Sequence, residues 1–252
     1  MNTPAQRKLN ILLVGDNCLD VYQYGTIDRL SPEAPVPVFV PTYQESKPGM
    51  SGNVYNNLIN LGCNVNHLYG KTSKKTRLID QHSRQQIVRI DEDVVSDPLE
   101  FATEIPPGYD AIVVSDYNKG SISYELVEEL VKEVQCPIFI DTKKHDLQRF
   151  QGAWVKVNQH EYSQLKSEPT GLIVTKGGAG AEVPYQNIKS TSPLVEVVDV
   201  TGAGDTFLAA LTYKFLLTND IKEAVDFANK AASITVQHLG CYAPRLEEIK
   251  WD

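Results

Sequence analysis

The sequence predicts an α/β fold built on a mostly parallel sheet covered by helices. Short apolar runs of strand length alternate with segments of helical period. The polar residues with most chemical potential stand directly after those runs, where open α/β sheets place their sites. No internal repeat or low-complexity segment interrupts the alternation.

The 252 residues suffice for one large domain or two small ones, and 42% apolar content is ordinary for a globular chain. A net charge of −8 argues against a general nucleic-acid or anionic-membrane binder, while leaving room for a local basic pocket. No apolar run has the length of a membrane span, and the first one, at 11–14, is too short for a signal-peptide core. Cys18, Cys63, Cys136 and Cys241 are scattered, without a metal-binding spacing. Reduced thiols in a cytoplasmic compartment are the expectation.

In chain order, core strands are predicted at 11–14, 65–69, 111–115, 137–140, 153–157 and 172–175. Helices are predicted at 52–61, 124–134, 205–217 and 221–239, the last with Ala224, Ala228, Ala231 and Ala232 at spacings that permit close packing. Two segments fall outside this alternation. The proline-punctuated stretch 35–41 suits an edge strand, since proline cannot donate to a ladder, and 85–91 could pair with it in a small separate sheet. Such a sheet is an ordinary edge hairpin or a lid over an acceptor site.

The most specific string is Asp199-Val-Thr-Gly-Ala-Gly-Asp205-Thr-Phe, at the mouth of the 205–217 helix. The N–H groups of Gly202, Ala203 and Gly204 are free to converge on an anion there, and the helix dipole adds to the attraction. A carboxylate beside an anion hole is unfavourable unless it has a task, and the task at hand is taking a proton from a hydroxyl that attacks a held phosphate. A capped turn is the plainer alternative for the four residues Gly-Ala-Gly-Asp alone.

The longer string resembles the signature of the ribokinase-like (PfkB) family of carbohydrate kinases. Further strings extend the resemblance from about Leu9 onward: Gly15-Asp-Asn-Cys-Leu-Asp20, Leu30-Ser-Pro-Glu-Ala-Pro-Val-Pro-Val38, Lys47-Pro-Gly-Met-Ser-Gly-Asn53, Ser115-Asp-Tyr-Asn-Lys-Gly120, Ile140-Asp-Thr-Lys143 and Asn158-Gln-His-Glu161. They look like the branch that phosphorylates D-glycero-β-D-manno-heptose 7-phosphate at C1. The resemblance implies a three-layer sandwich, one kinase domain over 1–252, and a small β lid near 17–47 and 71–92. Asp205 is then the base and Gly202, Ala203 and Gly204 the anion hole.

On the acceptor side the implied residues are Asp16, Asp20, Gly49 and Asn53. Asp16 is favoured over Asp20, whose plainer role is a cap or surface residue. Asp116 joins them from the strand end at 115–116. Arg77, Arg89, Lys119 and Lys143 are the candidates for holding a distal phosphate, and the sequence does not choose among them. For ATP the implied contacts are Asn158, Thr175, Lys176, Gly178, Gly180 and Asn229. Asn158 and Glu161 match the Asn-x-x-Glu motif that organises Mg²⁺ through water, although Asn and Glu three apart also form a capping arrangement. Asp199 and Thr201 occupy the stretch where some relatives hold a monovalent cation such as K⁺.

The chain departs from the family pattern in three places. Gly49-Met50 stands where a Gly-Gly pair is usual; 69–85 is short, with 70–77 expected to cross in one basic turn; and 161–171 is compressed. The His-x-Gly-His signature of the nucleotidyltransferase often fused to this kinase is not found, so no ADP-sugar product is expected. A P-loop and a Gly-x-Gly-x-x-Gly after the first strand are likewise missing from the sequence. The expected activity is ATP-dependent phosphorylation of a sugar phosphate by a homodimer joined through the lid. The alternatives are another acceptor or a non-catalytic nucleotide-binding paralogue.

Overall fold

The computed structural model describes residues 7–100 and 108–249; the ends of the expected 1–252 domain lie outside the described residues. Ten strands form one sheet. They are β1 (Asn10–Thr26), β2 (Val40–Met50), β3 (Asn64–Asp80), β4 (Gln86–Glu92), β5 (Ala111–Asp116), β6 (Ile138–Thr142), β7 (Trp154–Asn158), β8 (Leu172–Thr175), β9 (Ala181–Val183) and β10 (Ile188–Ser190). The order is β10-β9-β8-β7-β6-β5-β1-β3-β4, with β2 also on β1. Strands β3, β1, β5, β6, β7 and β8 are parallel; the pairs β1/β2, β3/β4, β8/β9 and β9/β10 are antiparallel.

Helices α1 (Ser51–Asn60), α4 (Ala203–Thr218) and α5 (Ile221–Thr235) cover one face; α2 (Tyr124–Glu133) covers the other, and the single turn α3 (Gln159–Tyr162) follows β7. Strand alternation divides the core. Ile11 and Leu13 pack with Leu58, Leu208 and Val225 on the first face, while Leu12 and Val14 pack with Leu126, Leu130 and Phe150 on the second. Both faces of β5, β6, β7, β8 and the first half of β1 are therefore dry, which is why these strands read as unbroken apolar runs, whereas β3 is largely exposed. The result is a helix–sheet–helix sandwich with the strand C-termini gathered at one edge.

The largest correction concerns 70–92. No turn crosses at 70–77: β1 and β3 are both 17-residue strands that pass beyond the core together. Their parallel pairing shifts once, between Gly15 and Asn17, then continues from Asn17 opposite Thr72 to Gly25 opposite Asp80. Gly70 is needed at the exit, because a Cβ there would meet the Ser96 hydroxyl at 2.5 Å. Neither is 35–41 the partner of 85–91. Residues 35–38 make bends and a single bridge, Leu30 to Pro37, and β2 starts only at Val40, because prolines at 35, 37 and 41 leave too few donors for a ladder. β4 instead pairs with β3, so β2-β1-β3-β4 form an outer sheet continuous with the central one. Helix α5 ends at Thr235 rather than 239, since the Val236 carbonyl accepts hydrogen bonds from the Val198 and Asp199 amides.

Candidate active site

Asp205 sits in the first turn of α4 and is 4% exposed. Its Oδ2 accepts a hydrogen bond from Asn53 Nδ2 of α1 and its Oδ1 one from the Tyr117 hydroxyl, both at 2.8 Å. Burial raises its pKa to about 6; the nearby Asp141 carboxylate pushes the same way, while the hydrogen bonds from Asn53 and Tyr117 and the charge of Lys156 oppose the rise. A buried carboxyl poised near 6 is ionised at neutral pH yet retains proton affinity, as a general base requires.

The adjoining turn is open. Gly202 is the N-cap of α4 with φ +80°, where a Cβ would stand 2.6 Å from Asn53 Nδ2. Only glycine gives both this backbone and the approach of Asn53. The amides of Gly202 and Gly204 have no protein partner among the described residues, whereas the Ala203 N–H donates to the Val200 carbonyl at 3.3 Å. The expected hole of three amides therefore presents two free ones.

Sequence reading missed three neighbours of this turn. Tyr117 follows β5, and burial together with the Asp205 charge holds its hydroxyl well above the usual tyrosine range, so it remains a donor. Lys156 of β7 is buried and pairs with Asp141 of β6 at 2.7 Å. One signal was available for Lys156: a lone charge inside the apolar run 153–157.

Asp16 is displaced from the role the sequence favoured. It is 1% exposed, and its carboxylate accepts the backbone N–H groups of Tyr117, Lys119 and Ser121. It shapes the loop that delivers Tyr117, buried against those three amides. Asp116 is spent likewise, on the Asn118 amide, the Thr142 hydroxyl and Lys144, and burial still raises its pKa. Asp20 makes different contacts: it pairs with Arg77, and Gly49 packs so closely that a Cβ would meet Asp20 Oδ2 at 2.2 Å.

The four basic candidates separate. Arg89 is bound in a bidentate pair to Asp91 on the exposed β4, and Lys119 Nζ pairs with Asp93 at 2.6 Å. Lys143 pairs with Glu161 and lies over the Tyr117 ring at 5.3 Å, which places it beside the residues around Asp205 rather than with Arg77. Burial disfavours its charge, but Asp141 and Glu161 outweigh that and raise its pKa. Arg77 alone of the four lines a cavity of about 580 Å³ between the outer sheet and the 199–201 turn. Tyr22, Arg84 and the stacked pair Tyr24 and Tyr43 share that lining.

A second cleft of about 310 Å³ runs beside α4 and α5, lined by Thr175, Gly178, Gly180, Leu194, Phe207 and Asn229 among others. Its apolar walls suit the flat face of a nucleobase. Gly178 faces open space; Gly180, at φ +92°, is required because a Cβ would meet the Ser190 carbonyl at 2.0 Å. Asn229 donates to the Ser190 hydroxyl at 2.8 Å. Lys176 does not face the cleft: it pairs with Glu182 across the β8–β9 hairpin at 2.6 Å.

Asn158 and Glu161 form a complete capping box at the start of α3. Glu161 also pairs with Lys143, so both its oxygens are engaged. Among the described residues no cluster of three or more His, Cys, Asp or Glu could hold a metal. This donor set fits Mg²⁺ through its water shell, not through direct ligation. Asp199 Oδ1 accepts both the N–H and the hydroxyl of Thr201, and Oδ2 accepts the Gly240 N–H. Burial works against its ionised form, yet these bonds keep its pKa below the ordinary value.

The fold is that of known sugar kinases. Ribokinase of Thermotoga maritima aligns with a TM-score of 0.69 at 18% identity, covering 96% of this chain and 98% of that one. Phosphofructokinase-2 of Escherichia coli, solved in complex with potassium, aligns at 0.71 with 17% identity over 96% of each chain. The pattern of the pfkB family of carbohydrate kinases matches residues 123–249, and the chain belongs to this family of ATP-dependent phosphotransferases. Among curated relatives, the bifunctional protein HldE of Nitratiruptor sp. is 33% identical over 303 aligned positions, covering 96% of this chain and 64% of that protein. HldE of Helicobacter acinonychis is 32% identical over 95% of this chain and 65% of its own length. This chain thus spans less than two thirds of the curated relatives it matches. The alignment with the first is longer than the 252-residue chain itself, so the relative carries segments that this chain lacks. Among the described residues, no helix is long and apolar enough to cross a membrane.

Proposed function

We propose that this chain transfers a phosphoryl group from ATP to the C1 hydroxyl of D-glycero-β-D-manno-heptose 7-phosphate, giving the 1,7-bisphosphate. The observation that carries the reading is the buried Asp205, held between Asn53 and Tyr117 beside the open amides of Gly202 and Gly204. Asp205 takes the proton of the acceptor hydroxyl as that oxygen closes on the γ-phosphorus and the bond to ADP breaks. The two amides and Lys143 face the charge on the phosphoryl oxygens. Asn158 and Glu161 would hold Mg²⁺ through its water shell, and the bound ion would supply further neutralisation. Thr175, Gly178 and Asn229 lie along the nucleotide, and Asp199 with Thr201 marks where K⁺ would act.

Asp20, Gly49 and Asn53 bind the sugar, and Arg77 with Arg84 receives the distal phosphate in the tyrosine-lined cavity. The outer sheet is the lid, which excludes water and limits wasteful hydrolysis. Its edge strand β4 leaves Ile87, Val88 and Ile90 exposed, and pairing through that sheet would make the homodimer. One observation favours a related acceptor instead: Met50 adopts φ +52°, ψ −129° where the family usually carries glycine, next to Gly49 and Asn53.

ADP release with Mg-ATP and the heptose 7-phosphate, set against a panel of sugars and sugar phosphates, tests the proposal. Acceptor-dependent turnover abolished in Asp205→Asn supports it. Turnover with another phosphosugar alone keeps the kinase and discards the heptose. Silence across the panel, with ATP still bound, discards catalysis.

A further inference from the structure

Lys156 is the one charged side chain of β7. It is 4% exposed, and its Nζ lies 2.7 Å from Asp141 Oδ2. A Cβ built on Gly204 would stand 2.8 Å from that Nζ, so the ammonium rests directly against the first turn of α4. Glycine at 204 thus leaves room for this lysine.

The position is unfavourable on its own. A buried charge needs full pairing, and a cation at a helix N-terminus meets the positive end of the dipole. Asp141 offsets only part of this, for its Oδ1 is buried without a hydrogen-bond partner. Buried ion pairs of this kind are commonly no more stabilising than apolar residues of similar volume. The arrangement gains electrostatic sense when an anion occupies the Gly202 and Gly204 amides, because Lys156 then faces a negative group across a single turn of backbone.

We propose that Lys156 is a positioning residue for phosphoryl transfer, its charge set beneath the Gly204 turn to favour the phosphoryl group as charge builds on it. The inference rests on the kinase reading above. Asp205 is also affected: Lys156 lowers its proton affinity and Asp141 raises it, so the pair helps hold the base near its working range.

The test compares wild type with Lys156→Met and with Lys156→Gln, whose amide can still donate to Asp141 while lacking the charge. Melting temperature, kcat, both KM values and the affinity for ADP with vanadate are measured. Both variants are expected to fold and to keep KM for ATP and acceptor within about threefold. Their kcat should fall about 100-fold, the scale of losing one preorganised donor. Affinity for ADP with vanadate should weaken while affinity for ATP holds. A kcat within threefold of wild type in either folded variant overturns the proposal. So does a rise in KM for ATP at unchanged kcat, which would mark plain ground-state binding. Failure of both variants to fold overturns it too, because the pair is assigned no net stabilising role. Wild-type silence with every acceptor removes the kinase reading, whereas an active wild type matched by Lys156→Met removes only this inference.

Discussion

The two halves of β1 meet opposite fates. From Ile11 to Val14 every side chain is at most 1% exposed, with parallel neighbours on both sides and helices on both faces. Beyond Asn17 the strand exchanges β5 for β2, no helix layer follows it, and polar or aromatic side chains such as Asp20, Tyr22 and Tyr24 replace the apolar run. The inner half is specified by burial and the outer half by backbone pairing and by what the cleft needs. The chemistry collects where one regime gives way to the other: Asp20 and Gly49 lie just past the change, and Asn53 and Asp205 face it from the helices. A scaffold buried on both faces fixes Asp205, while a sheet covered on one side at most suits the lid proposed above.

Three measurements break or sharpen that contrast. The largest effect belongs to the rigid half. Asp205→Asn should lower kcat by roughly 10²–10⁴-fold, the range of a lost general base. The acid limb of wild-type kcat/KM should fall below about pH 6 as Asp205 takes up its proton. The sign for stability is the reverse. With a folded pKa of about 6 against an ordinary 3.8, Asp205 favours the folded state fully below the ordinary value and loses that contribution as pH rises through 6. The difference corresponds to roughly 3 kcal/mol, less about 1 kcal/mol because one asparagine oxygen cannot serve both Asn53 and Tyr117. Asp205→Asn should therefore unfold at higher denaturant than wild type at pH 8, with the gain shrinking towards pH 5. An equal midpoint at both pH values contradicts the assigned burial cost.

The next effect sits at the boundary. Met50 holds a backbone conformation that glycine adopts freely and an L side chain resists. Met50→Gly should lower unfolding stability by about 1–3 kcal/mol, since loss of a buried side chain (about 2–5 kcal/mol) exceeds the relief of about 1–3 kcal/mol of strain. The acceptor KM should change with it, while KM for ATP should not. A gain of stability on this substitution would mean that the strain outweighs packing of the buried methionine.

The smallest effect on stability belongs to the outer sheet. Ile90→Lys on exposed β4 should alter unfolding free energy by less than about 0.5 kcal/mol, as surface changes usually do. Light scattering should nonetheless show half the mass of the wild-type homodimer proposed above. An unchanged mass would remove β4 from the interface.

The sheet's inner strands were legible because burial on both faces writes itself as continuous apolar runs, and the helices because their starts carry caps and glycines. The outer strands were not. A strand covered on one side at most, with lysines at 71, 74 and 75, looks like a loop until its partner is known. Asp16 and Asp20 are four residues apart on the same strand, and nothing local distinguishes the one that secures a loop from the one that meets Arg77.

By itself the sequence determined the α/β class and the family, and it singled out the base and anion-binding turn proposed above, since these rest on short-range patterns: periodicity, glycines at a helix mouth, one carboxylate in the first turn. Only the tertiary structure decided which partner each charge has. It engaged Asp16, Asp116, Arg89, Lys119 and Lys176 in loop anchors or ion pairs, paired Arg77 with Asp20 at the wall of a cavity, and brought Tyr117 and Lys156 beside the Gly202–Asp205 turn. The physical reason is that a charge's role depends on the partner that neutralises it, and Lys143 and Glu161, or Tyr117 and Asp205, are joined by folding and not by nearness along the chain.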